Sequence, residues 1–122
     1  MNKNVVINLA EKLTLFDEHW SPKVIGQLND YQIKLVKVLG EFTWHQHDDT
    51  DELFFVLKGR LDIHFKDRVE VLKSGDMFIV KKGEQHKPVA EQECEILLIE
   101  PKGVVNTGEA GSKLTAQNDV WI

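Results

Sequence analysis

Apolar positions along this chain recur mostly at every second residue, in short runs cut by glycine and charge. That period predicts strands. Tyr31-Gln32-Ile33-Lys34-Leu35 alternates apolar and polar side chains, and Leu53–Leu57 is apolar throughout, as in a strand covered on both faces. Leu61, Ile63 and Phe65 share one face, with Asp62 and His64 on the other. Lys23–Leu28, Val69 with Val71, Met77–Val80 and Cys94–Ile99 supply further strands. Turns fall at Asn29-Asp30, Lys58-Gly59, Lys66-Asp67-Arg68, Ser74-Gly75-Asp76 and Lys82-Gly83-Glu84, and Pro101 ends the pattern. Near the N-terminus the period lengthens. Asn8 precedes Leu9, Glu11 follows three residues after Asn8, and Leu9, Leu13 and Phe16 stand near helical spacing. One short helix is predicted there, stopped before Pro22 and Gly26. Many short strands with closely spaced turns predict an all-β fold, an antiparallel barrel or sandwich.

At 122 residues the chain is expected to be a single domain, 1–122. Its core barrel is expected over about 23–101, with the tail 102–122 packing on the barrel or on a partner subunit through Val120-Trp121-Ile122. Fifteen basic against twenty acidic residues give a net charge of −5. That balance argues against a nucleic acid or an anionic membrane as partner, since both call for a basic footprint. The single cysteine, Cys94, has no partner in the chain for a disulfide and reads as a small buried apolar residue. The N-terminal segment Met1–Ile7 has neither a long apolar stretch nor a small-residue cleavage site, so the expected location is the cytoplasm.

The chemistry concentrates in three of the five histidines. His45 and His47 stand two apart, so on an extended segment their imidazoles project to the same side. Glu52 follows beyond the acidic turn Asp48-Asp49-Thr50-Asp51, at the head of the next strand, where a hairpin returns it beside the pair. His86, after the Gly83 turn, can close the site from another strand. Three imidazoles and one carboxylate suit one divalent first-row transition metal such as iron, manganese, nickel or zinc. The four ligands then carry one negative charge and leave the centre with a net single positive charge, able to polarise a bound oxygen. Asp48, Asp49 and Asp51 read as a solvated hairpin tip. His19 and His64 are not expected to be ligands.

These spacings resemble the cupins. Their first motif runs glycine, a short spacer, His-x-His, three or four residues, glutamate, six residues, glycine. The chain has Gly40, His45-Gln46-His47, four residues, Glu52, six residues, Gly59. The second motif runs glycine, five residues, Pro-x-Gly, two residues, histidine, three residues, asparagine. The chain has Gly75, five residues, Lys81-Lys82-Gly83, two residues, His86, three residues, Ala90. The first spacer is one residue short, Lys81 replaces the proline and Ala90 the asparagine, none of which is a ligand position. The resemblance implies an antiparallel double-stranded β-helix, or jelly-roll barrel, with metal ligands His45, His47, Glu52 and His86. It also implies an edge-paired or strand-swapped homodimer.

Such barrels host unrelated functions, so the fold alone does not assign one. The first expectation is a metal-dependent enzyme of isomerase, epimerase or dioxygenase type, acting on a small polar molecule chelated at the metal. The others are a non-catalytic module for a metal and a small ligand, and a metal that only staples the barrel. No general acid or base beyond the ligands stands out: Tyr31 and Lys34 lie on a strand whose facing the pattern leaves open. No Ser–His–Asp or Cys–His arrangement suggests a nucleophile.

Overall fold

The alternating runs become strands β1 (Lys23–Leu28), β2 (Tyr31–Glu41), β3 (Glu52–Lys58), β4 (Arg60–Phe65), β5 (Val69–Lys73), β6 (Met77–Val80) and β7 (His86–Pro101) in a computed structural model. The structure describes residues 4–108 and 110–122; Met1, Asn2 and Lys3, read above with the N-terminal segment, lie outside the described residues. Helix α1 (Leu9–Leu13) begins where the Asn8 side chain accepts the Glu11 N–H at 2.9 Å. Phe16 lies past its end yet is buried with Ile25 and Leu35, and Leu9, Leu13 and Leu57 pack on the same cluster.

All strand pairings are antiparallel. The long strand β7 organises them. Its C-terminal half lies between β2 and β3, with Leu97 opposite both Leu35 and Phe55. Its N-terminal end pairs with β4, His86 opposite Phe65. β1 adds to β2, β6 to β3 and β5 to β4, which completes an all-β antiparallel fold. β7 begins eight residues before the Cys94 start that the apolar run suggested. The exposed stretch Glu91-Gln92-Glu93 interrupts the alternation in the middle of one continuous strand.

The barrel interior is filled by Val38, Val56, Leu61, Ile63 and Cys94, none of them exposed. In Leu53–Leu57 the two faces are covered unequally: Phe54 and Val56 are buried inward, while Leu53, Phe55 and Leu57 are half-buried on the outer face, Leu57 against the helix-side cluster. Gly59 alone joins β3 to β4 at φ 101°, and a Cβ there would stand 3.2 Å from the Glu93 carbonyl oxygen and the Cys94 Cα. The tail returns to β1. Val24 donates to the Val120 carbonyl at 2.7 Å and accepts from the Ile122 N–H at 3.1 Å. No helix among the described residues is long and apolar enough to cross a membrane.

Candidate metal centre

After β2 the chain leaves the sheet in an extended segment. His45 there exchanges two backbone hydrogen bonds with His86 at the head of β7, at 3.0 and 2.9 Å. His47, two residues on, has its carbonyl taken by the Gly83 N–H at 2.8 Å. The Asp51 carboxylate accepts the Lys82 N–H at 2.9 Å, so the Lys81-Lys82-Gly83 turn is fastened to the acidic loop without a proline. Glu52 opens β3, opposite Val80. These local contacts bring His45, His47, Glu52 and His86 together, with one ligand atom from each within 4.8 Å of the others.

The four residues are 3%, 7%, 4% and 0% exposed. His45 Nδ1 bonds the Thr43 carbonyl and His86 Nδ1 the Glu84 carbonyl, both at 2.9 Å. A carbonyl only accepts, so each Nδ1 carries a proton, and in the neutral ring that ligates a metal each Nε2 presents a lone pair. His47 Nε2 and His86 Nε2 approach Glu52 Oε1 at 3.5 and 3.7 Å. These three buried atoms have no hydrogen-bond partner in the structure. A buried polar atom left unpaired costs about 1–3 kcal/mol, so three of them converging on one point fit a cation between them. Burial, with His86 next to it, pushes the His45 imidazole down to about 4. Burial opposes ionisation of Glu52, but His47 and His86 more than offset it and hold that carboxyl well below the usual range. Neutral imidazole at His45 and carboxylate at Glu52 are the ligating forms.

Apolar rings collar the cluster. Phe42 meets His45 edge-on at 5.2 Å between centroids, and Trp20 stacks on Phe42 at 4.6 Å. Inside lies a small cavity of about 30 Å³, lined by Trp20, Phe42, His45, Glu52, Phe54 and Glu100 among others. Outside, beside His47, a recess of about 380 Å³ opens among Asp48, Asp49, Thr50 and Lys102. The cluster includes neither His19, which bonds Glu93 at 2.6 Å, nor His64, half-buried on β4. Asp48 and Asp49 are exposed.

Two charged residues that pattern reading did not single out as a pair stand behind the cluster. Lys34 and Glu100 are both buried and meet at 3.2 Å, Nζ to Oε1. Lys34 faces the interior, whereas Tyr31 is exposed. The signal available was parity: Lys34 shares its face with Val36 and Val38, and Glu100 shares its face with Ile96 and Leu98. Burial and the neighbouring Glu52 push the Glu100 carboxyl up, and Lys34 opposes that shift.

A cupin domain model matches residues 34–100. The chain is 45% identical over 64 residues to the uncharacterized protein YdbB of Bacillus subtilis (strain 168). That match takes in 52% of the chain and 57% of the relative, so it spans little more than half of the relative's length. It is 30% identical over 96 residues to the pectin degradation protein KdgF of Dickeya dadantii (strain 3937), covering 79% of the chain and 73% of the relative. A crystal structure of a cupin-2 domain containing protein from Shewanella frigidimarina superposes with a TM-score of 0.79 at 55% identity, over 80% of this chain and 95% of that one. The chain belongs to the cupins. Within that family it is a small barrel with a buried three-histidine, one-glutamate cluster of a kind that can hold a metal ion.

Proposed function

We propose that the protein binds one divalent transition metal (iron, manganese, nickel or zinc) through His45, His47, Glu52 and His86. We further propose that it is a metal-dependent enzyme of isomerase, epimerase or dioxygenase type acting on a small polar molecule. The observation that carries this reading is the convergence of unpartnered Nε2 and Oε1 atoms in a buried site. When bound, such a metal supplies Lewis acidity to an oxygen of the substrate. The chain's own part is organisation. The Thr43 and Glu84 carbonyls aim two imidazoles, Glu52 contributes a single negative charge, and Trp20, Phe42 and Phe54 line the cavity beside them with apolar surface. The likeness to a pectin degradation protein favours a polar substrate of carbohydrate origin. The small interior cavity favours a second reading, a module that holds a metal and a small ligand without turnover.

Elemental analysis of protein purified without chelator or His tag tests the metal. One equivalent per chain is expected, lost in His47→Ala and Glu52→Ala while the barrel stays folded; full metal content in both variants refutes the assignment. Turnover of sugar acids by the metal-loaded protein, against binding without change, separates enzyme from module. The same reading takes the protein as a cytoplasmic homodimer that binds neither nucleic acid nor membrane. Met77 and Ile79 on the one-sided strand β6 are 62% and 41% exposed, which suits a second copy, and sedimentation measures that mass.

A further inference from the structure

Trp20 has a φ of 59°, in the left-handed region that a bulky side chain rarely adopts. Three contacts from separate parts of the chain hold it there. Its N–H donates to the Lys37 carbonyl at 2.9 Å, its indole Nε1–H donates to the Leu39 carbonyl at 2.9 Å, and its own carbonyl accepts from Asn106 Nδ2 at 3.0 Å. Asn106 also donates to the Leu114 carbonyl and accepts the Ala116 N–H, so it joins the segment before β1 to the tail after β7. The indole is thereby laid on Phe42 with its plane 21° from parallel, and Phe42 stands edge-on to His45. Backbone strain of this kind persists only where the surroundings over-determine it, and it gathers at ligand clamps.

The walls of the interior cavity fall into two groups. Phe54 and Leu98 come from strands, and His45 and Glu52 from the cluster. Trp20, Pro22 and Asn106 come from outside every strand. Trp20 is 9% exposed while Pro22 and Asn106 are half-buried, so this second group forms the side of the cavity toward the surface. With the indole in place the cavity is about 30 Å³, room for little more than one or two waters.

We propose that Trp20 is a specificity-determining residue of the centre, its indole limiting by size the ligand that can lie beside His45 and Glu52 inside the fold. The ligand class is a compact oxygen donor, a carboxylate or carbonyl with little bulk on the adjacent carbon. Of a larger substrate only the terminal oxygen-bearing carbon fits on this side. This rests on the metal-binding reading above.

Cobalt(II)-loaded protein titrated with formate and with benzoate tests it, the visible spectrum reporting ligand binding. The two acids are of similar strength, so the ratio of their affinities reads size rather than basicity. The wild type should prefer formate about tenfold or more. Trp20→Gly removes the ring and suits the left-handed backbone. In that variant benzoate should gain about tenfold or more relative to formate, with cobalt stoichiometry unchanged. Added indole, which refills the vacated space, should return the ratio toward that of the wild type, a result that loosened packing alone does not give. Should Trp20→Gly fail to fold or load cobalt, Trp20→Phe is read in the same way, with a smaller gain for benzoate expected. A wild type that binds both acids equally or neither, an unchanged ratio in the cobalt-loaded variant, or a benzoate gain that indole leaves untouched overturns the role of Trp20 alone. A wild-type protein that takes up no cobalt overturns the metal assignment and this inference with it.

Discussion

Protonating His45 should cost the metal-free protein stability, by an amount its surroundings set. The imidazole is 3% exposed and burial, with His86 beside it, lowers it to about 4, against an ordinary value of 6.5. The unfolded chain therefore takes up this proton first. The His45 contribution to stability is whole above the unfolded value and is lost as pH falls through the folded one. From those two values the loss between pH 7 and pH 4 is about 3 kcal/mol. Other groups titrate in the same range with both signs. Glu52, held low, also loses stability in acid, whereas Glu100, pushed up, loses it as pH rises. His45→Gln removes the one proton and leaves these in place. Urea unfolding of chelator-treated wild type and variant at both pH values then isolates the His45 share as a difference of differences. A difference near 3 kcal/mol, with the wild type losing more, is expected; one below about 1 kcal/mol would show that solvent reaches the ring and that the cluster is not a dry site.

Three further outcomes follow from the packing around the cluster. Gly108 sits at φ 58° with its missing Cβ directed at the Gln46 carbonyl, 3.4 Å from His47 Nδ1. Gly108→Ala should displace the 46–47 segment and weaken metal binding about tenfold or more in calorimetric titration, and an unchanged affinity would separate the tail from the site. Trp20→Ala removes the ring stacked on Phe42 and the Nε1 hydrogen bond to the Leu39 carbonyl at 2.9 Å; a loss of about 3–5 kcal/mol in denaturant unfolding is expected. Cys94 is fully buried and its thiol is pushed up to about 11 by burial and then by Glu95. It should resist iodoacetamide at pH 8 in the native protein and react on unfolding, as mass spectrometry reads directly.

The legibility of this chain differs between its two kinds of buried polar residue, for a physical reason. His45 and His47 lie two apart on extended backbone, and Glu52 comes just after a loop made of acids that water readily solvates. Local geometry alone returns that carboxylate to the pair, so short-range pattern sufficed to name three of the four. His86 was reachable only through the resemblance to the cupin motif; by itself it reads as a turn histidine before Pro88. Lys34 and Glu100 were not reachable in that way. In Tyr31–Leu35 alternation separates two faces but does not say which is inside, and the usual assumption sends the polar face to solvent. Here the even face is buried throughout and the odd face is covered progressively, from exposed Tyr31 to buried Leu35. Leu35 turns to the helix-side cluster with Phe16 and Ile25, while Gln32 and Lys34 point into the barrel. Polarity toward the interior is stable only because β2 and β7 run side by side and Glu100 meets Lys34 there, a partnership across 66 residues that no local period encodes. Burial and the neighbouring Glu52 push the Glu100 carboxyl up while Lys34 opposes that shift, so the buried pair is coupled to the cluster it stands behind, a dependence between distant strands that alternation cannot carry.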